Sequence, residues 1–339
     1  MSAPELLLHV GLNKTGTSAL QRFFARARER LAAAGVLYPL AGMRGEAHYD
    51  LSAALGFSLD GRLPDPERLR RYGEALWREV EAAGPRKVVI SSEMFVLPGE
   101  IERVRAFFGG FEVRVVIYLR RHDEWWISAY NQSVRAVSRP GWKPGFGNYL
   151  AFQRRNPNRW YLDYARFVDA WASVFGHGAI VVRPYEPCQN RPSLVHDFLA
   201  ATGCPVEPAG GEAAGRVNRS VSLKGLQLID LWQRTIDDDA LRARLIAHVL
   251  ETGGGGRPFD LPLDVKRALV AAHRRDYEYI ARRYLGRADG RLFFEPVEST
   301  TDEDLEQAHP LSAEEAVSAT VAALRHVLQP IREGKTADA

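Results

Sequence analysis

The segment Gly11-Leu12-Asn13-Lys14-Thr15-Gly16-Thr17-Ser18 gathers groups that hold an anion: two glycines five positions apart, one lysine and three hydroxyl residues. A short apolar run, Leu6–Val10, precedes it, and a helix-forming stretch follows. A tight turn between a strand and a helix aims backbone N–H groups and the positive end of the helix at one point, where negative charge is stabilised. Lys14 adds a full positive charge there. Further along, Val115-Val116-Ile117-Tyr118-Leu119-Arg120 puts a guanidinium at the end of a β-branched run. In that position an arginine can grip two phosphate oxygens at once.

Positioning these groups requires strands that end together. Short apolar runs alternate with longer helical patterns, which predicts βαβ units and a mainly parallel sheet. Strands are expected at Leu6–Val10, Gly35–Tyr38, Lys87–Ile90, Glu112–Leu119 and Ala179–Val182. Helices are expected at Ser18–Ala34, Pro66–Ala83, Pro98–Phe108, Asp123–Val134, Leu162–Phe175 and Ser193–Ala201, then over 222–250, 263–285 and 311–331. Residues 41–65 and 136–148 read as long loops, and loops of that length in compact domains are usually functional. A Pro/Gly/Glu linker covers 205–216. The fold class is therefore α/β: a P-loop-like three-layer fold with a central mainly parallel sheet flanked by helices, plus a helical C-terminal section. The expected organisation is one domain over 1–339, with a core of about 5–204 and a helical section of about 217–331 packed on it.

The first loop departs from a Walker A sequence. Thr17, not lysine, follows Gly16, and the lysine sits at the front of the loop. A Walker lysine serves the β- and γ-phosphates beside a magnesium-holding hydroxyl, so the displaced lysine implies a different anion in a related cradle. Lys-Thr-Gly-Thr-Ser after a first strand resembles the 5′-phosphosulfate loop of the sulfotransferases, which use 3′-phosphoadenosine 5′-phosphosulfate as donor. The resemblance implies that Lys14 contacts the 5′-phosphate and the bridging oxygen to sulfur. Asn13, Thr15, Gly16, Thr17 and Ser18 would complete that site with backbone and hydroxyl donors. The family also carries a strand-terminal Arg followed by a Ser eight residues later, which bind the 3′-phosphate. Here Arg120 and Ser128 have that spacing, whereas Arg121 has no serine in register.

Sulfuryl transfer needs a base for the acceptor proton. Cytosolic sulfotransferases use a histidine just after a strand, and carbohydrate-type members use a carboxylate. The resemblance puts Glu93, after Ser91-Ser92, in that place. A carboxylate at a strand's C-terminal end also faces the crevice where open α/β sheets bind ligands. His48 is the second candidate because histidine is tuned near neutral pH, and Glu46 is the third. Weaker likenesses extend over most of residues 5–295, among them Val182-Arg183-Pro184-Tyr185-Glu186 and Asn218-Arg219-Ser220-Val221-Ser222. The Gly-x-x-Gly-x-x-Lys stretch that closes the donor site in cytosolic members is missing, and Arg219, Ser220 or Lys224 is expected to replace it. Trp125 and Trp126 read as packing residues.

Composition limits the alternatives. Lys+Arg exceed Asp+Glu by 45 − 42 = 3, which excludes a generally polybasic nucleic-acid binder. The two cysteines, Cys188 and Cys204, exclude a disulfide scaffold and read as free thiols. Asp237-Asp238-Asp239 cannot share one helix face, so no metal is expected. No run of about 18 apolar residues is found, and the N-terminus lacks a basic leader, so a cytoplasmic enzyme without a transmembrane segment is expected. The expected acceptor is a hydroxyl or amine of a small molecule, carbohydrate or lipid-linked compound. Tyr49, Tyr130, Trp142, Phe146 and Tyr149 suit a pocket for its ring and ordinary packing equally well, and a homodimer is left open. The rival readings are an ATP/magnesium-dependent small-molecule kinase and a non-catalytic nucleotide-binding protein.

Overall fold

In the computed structural model, residues 3–59, 61–209, 221–252, 259–298 and 311–333 are described. The chain divides into two compact units that interleave along the sequence. The first comprises Met1–His122, Pro157–Arg216 and Ala271–Pro296, and the second comprises Asp123–Asn156, Val217–Val270 and Val297–Ala339. Residues 123–156, expected with the core, thus fall in the second unit, and 271–296, expected with the C-terminal section, fall in the first.

The first unit is built on β1 (Glu5–Val10), β2 (Val36–Leu37), β3 (Lys87–Ser92), β4 (Glu112–Leu119) and β5 (Ile180–Pro184). All pairings are parallel, in the order β2-β3-β1-β4-β5. The fold is α/β, with a central sheet flanked by helices. The strands read as continuous apolar runs because both faces are covered: Leu6–Leu8, Val88–Ile90 and Val115–Leu119 are all fully buried. On one face, Leu7, Val89, Val116 and Tyr118 pack against Phe23 and Phe24 of α1 (Thr17–Arg26) and Phe198. Helix α2 (Arg28–Ala33) follows α1 after a break at Ala27, where one continuous helix was expected.

Strand order places the crevice. From β1 the chain leaves towards β2 on one side, whereas β4 lies on the other side and leads on to β5. Adjacent parallel strands whose outgoing connections diverge leave a gap beyond their C-terminal ends, and ligands of such sheets bind there.

The expected loop at 41–65 contains a short helix, α3 (Tyr49–Ala54). Helix α4 (Pro66–Ala83) matches expectation: Asp65 caps it, Pro66 fits its first turn, and Gly84 ends it in a left-handed conformation. Helices α5 (Ile101–Phe107), α6 (His122–Ala136), α7 (Phe146–Arg154), α8 (Tyr164–Phe175) and α9 (Leu194–Thr202) follow. Helix α7 begins inside the expected loop over 136–148 and continues to Arg154.

The expected helix over 222–250 is two: α10 (Leu223–Thr235) and α11 (Asp239–Thr252). The aspartate run makes the break. The Asp238 side chain accepts from the N–H groups of Ala240 and Leu241, while Asp237 pairs with Arg139 and Asp239 with Arg242. The expected helix over 263–285 is likewise α12 (Leu263–Ala272) and α13 (Arg274–Leu285), and α14 (Ala313–Glu333) is last. On α13, Arg274 donates to Glu278 at 2.9 Å. The two cysteines are not bridged. Among the described residues, no helix is long and apolar enough to cross a membrane.

Candidate functional site

Residues 11–16 connect β1 to α1, and two glycines set their course. A Cβ on Gly11 would lie 2.2 Å from Thr17 Cγ2, so the chain can pass the helix start only without a side chain. Gly16, the residue before α1, has φ 76°, and a Cβ there would also meet Leu194 at 2.4 Å and Tyr185 at 3.0 Å. Lys14 is left-handed as well, with φ 71°. A lysine in this region is strained, and such strain persists where the surroundings impose it, commonly at ligand-binding turns. Among the described residues, no side chain caps the start of α1, and its first turn carries no acid. The positive end of the helix dipole thus meets no side-chain cap or acid, an arrangement that favours an anion.

The hydroxyls divide. Thr15 is fully buried and donates to the Leu12 carbonyl at 2.6 Å. It braces the loop and can offer an anion only its backbone N–H, which corrects the expectation of a hydroxyl donor there. Thr17 is buried and Ser18 exposed at the helix start.

Arg120 follows the last residue of β4 and reaches across the crevice. Its Nη1 donates to the Lys14 carbonyl at 2.9 Å. Its guanidinium lies over the Tyr185 ring, 5.4 Å from the centroid, and Tyr185 N–H donates to the Leu119 carbonyl. The Tyr164 hydroxyl donates to the Arg120 carbonyl. Arg121 turns away, donating to the carbonyls of Glu295 and Pro296. Of the two arginines, Arg120 is therefore the one directed at the loop.

Glu93 begins beyond β3, and the register pairs Val10 with Ser92, so loop and carboxylate leave the sheet at the same level. Both carboxylate oxygens are held. Gln21 Nε2 donates to Oε2 at 2.9 Å, and the Tyr49 hydroxyl donates to Oε1 at 2.6 Å. Burial and the adjacent Glu93 push the Tyr49 hydroxyl pKa well above its usual value, so Tyr49 remains a donor. Gln21 also reaches Ser91 Oγ at 3.3 Å, and Ser91 Oγ lies 2.8 Å from His9 Nδ1.

His48 has a different place. It is fully buried, its Nδ1 accepts from the Ser91 N–H at 3.1 Å, and its Nε2 donates to the Pro39 carbonyl at 3.0 Å. Burial lowers its pKa to about 4. With both nitrogens engaged, it braces the start of α3 and has no lone pair for an acceptor proton. Glu46 is half-buried and faces Arg22 at 3.7 Å.

The structure thus gathers Asn13, Lys14, Thr15, Gly16, Thr17, Ser18, Arg120 and Glu93 at one sheet edge. Ser128 lies half-buried on α6 within the second unit. Arg219 and Ser220 lie outside the described residues. Tyr130, Trp142 and Tyr149 are buried in the second unit, packed with Phe146 and Phe259. They form a core there, the packing alternative of their two readings, whereas Tyr49 donates to the Glu93 carboxylate. Trp125 and Trp126 are buried, as their reading as packing residues requires. Sequence reasoning did not find Gln21 or Tyr185. Gln21 had a signal, a polar residue one turn after Thr17 on the face that also carries the buried Leu20 and Phe24.

No family model matches the chain. An uncharacterized protein of Archaeoglobus fulgidus is 28% identical over 155 residues, 45% of this chain. The match spans 38% of that relative's own length.

Proposed function

We propose that the chain is a sulfotransferase that moves the sulfuryl group of 3′-phosphoadenosine 5′-phosphosulfate to a hydroxyl or amine. The observation that carries this reading is the 2.9 Å bond from Arg120 to the Lys14 carbonyl. It joins the two segments that resemble the family's donor-binding motifs, across the gap that the strand order opens.

The residues fit an anionic donor. The uncapped start of α1 and the left-handed Lys14 and Gly16 form the cradle, and a side chain at position 16 would clash with Leu194 and Tyr185. Lys14 supplies positive charge where it stabilises the charge that develops on the departing oxygen. Arg120, stacked on Tyr185, holds a phosphate. Glu93 receives the acceptor proton as the acceptor's oxygen or nitrogen bonds to sulfur and the bond from sulfur to the phosphate oxygen breaks. Gln21 and Tyr49 each occupy one carboxylate lone pair, so each oxygen keeps another for that proton. The acceptor is a small molecule, carbohydrate or lipid-linked compound.

Thermal unfolding tests this reading, with 3′-phosphoadenosine 5′-phosphate (PAP) set against ATP plus magnesium and against adenosine 5′-phosphosulfate. A ligand at about 100 times its Kd adds about 2.7 kcal/mol, enough to move the melting point visibly. The expected result is a shift with PAP that Arg120→Ala abolishes. A shift with ATP–magnesium alone would sink the reading in favour of a kinase. PAP binding without sulfate transfer to any acceptor class would favour a non-catalytic nucleotide-binding protein.

A further inference from the structure

We infer that Gln21 is a positioning residue that couples occupancy of the anion loop to the orientation of Glu93. The inference rests on the roles given above to the loop and to Glu93. Gln21 lies on α1 one turn after Thr17, so it moves with the helix whose start forms the cradle. It is 3% exposed, yet its amide makes no use of its own helix. Both of its amide hydrogens go to the end of β3, one to Glu93 Oε2 at 2.9 Å and one to Ser91 Oγ at 3.3 Å.

The Glu93 carboxylate oxygen accepts, so the Gln21 NH2 faces it, and Ser91 Oγ accepts the second amide hydrogen. Ser91 Oγ also lies 2.8 Å from His9 Nδ1, whose other ring nitrogen, Nε2, is fully buried without a hydrogen-bond partner. The carboxylate is then pinned at one oxygen by α1 and at the other by Tyr49 of α3. A displacement of α1 when an anion binds must turn the carboxylate plane or break a buried hydrogen bond.

The test reads Tyr49, which sits on the far side of Glu93 from Gln21. The full-length protein is labelled with 3-fluorotyrosine, and the Tyr49 fluorine resonance is assigned by Tyr49→Phe. PAP is titrated in, and its affinity is measured separately by calorimetry. The expected result is a Tyr49 shift on saturation that is at least halved in Gln21→Met, with PAP affinity within about twofold of wild type. Glu93→Leu removes both acceptor oxygens, breaks the same link from the other end and decides the matter if Gln21→Met does not fold. A Gln21 that served packing alone would leave the ligand-induced shift intact, and an undiminished shift in these variants overturns the inference. A second titration uses inorganic sulfate. If PAP does not bind but sulfate moves Tyr49 through Gln21, the sulfotransferase reading fails and the coupling stands. If neither anion moves Tyr49, the coupling is overturned, whatever calorimetry reports for PAP.

Discussion

Arg120, at the end of β4, donates a 2.9 Å hydrogen bond to the carbonyl of Lys14, the strained residue at the turn of the loop after β1. One guanidinium therefore both faces the candidate site and holds the backbone that shapes it. Arg120→Lys should keep the charge but lose the planar fork and the stacking on Tyr185. The expected outcome is PAP binding weakened at least tenfold, about 1.4 kcal/mol, checked by calorimetry. Wild-type affinity in Arg120→Lys would mean that charge alone matters there.

Gly16→Ala should damage both fold and site. Its backbone is left-handed, which costs a non-glycine residue about 1–3 kcal/mol. The added methyl would also sit 2.4 Å from Leu194. Denaturant melts should show a loss of stability, and PAP should no longer protect the variant. Gly147, with no neighbour within 4 Å of its Cβ position, serves as the tolerant control.

Glu93→Gln should separate binding from chemistry. The substitution keeps the shape but removes the proton acceptor, and general-base catalysis contributes about 10²–10⁴-fold. PAP affinity is expected to stay near wild type, while sulfate transfer from labelled donor falls by that factor. Unchanged transfer would remove Glu93 from the reaction. His48→Gln, in contrast, should alter stability first, because His48 braces Ser91 and Pro39.

Acid should destabilise the first unit through its buried histidines. His48 titrates at about 4 when folded, against 6.5 for an ordinary histidine, and His9 at about 3. Between pH 6.5 and pH 4 the unfolded chain holds a proton on His48 that the folded chain refuses. The unfolded state thus binds more protons, and stability falls as pH drops through this window. Each such group costs about 1.4 kcal/mol per pH unit there. Urea midpoints at pH 7, 5.5 and 4.5 should fall in that order. The fall should be shallower in His48→Gln, and equal slopes in the two proteins would refute the assignment.

The candidate site was legible in the sequence where function depends on local order. Gly11, Lys14 and Gly16 lie in one short turn between recognisable elements, so their proximity needs no knowledge of the rest of the chain. Arg120 and Glu93 were found because each ends a β-branched strand, and parallel strands of one sheet end along one edge. For Tyr130, Trp142 and Tyr149 the sequence left pocket and core equally open, because an aromatic residue looks the same whether it lines a pocket or fills a core. His48 looked like a base because a sequence does not reveal which ring nitrogens are already engaged.

The helix breaks were hidden for a similar reason. Periodicity over 222–250 is helical throughout, and only the capping geometry at Asp238 shows two helices where the pattern suggests one. Apolar periodicity, glycine spacing and strand-end residues are properties of neighbours in the chain, and they sufficed for the α/β class, all five strand positions and the strand–loop–helix around 11–16. Which arginine faces the loop, which hydroxyl braces it and what holds Glu93 depend on residues such as Gln21 and Tyr49, respectively 72 and 44 positions away from it. Hydrogen-bond partnership over such separations is set by how strands and helices pack, so only the tertiary structure could decide it.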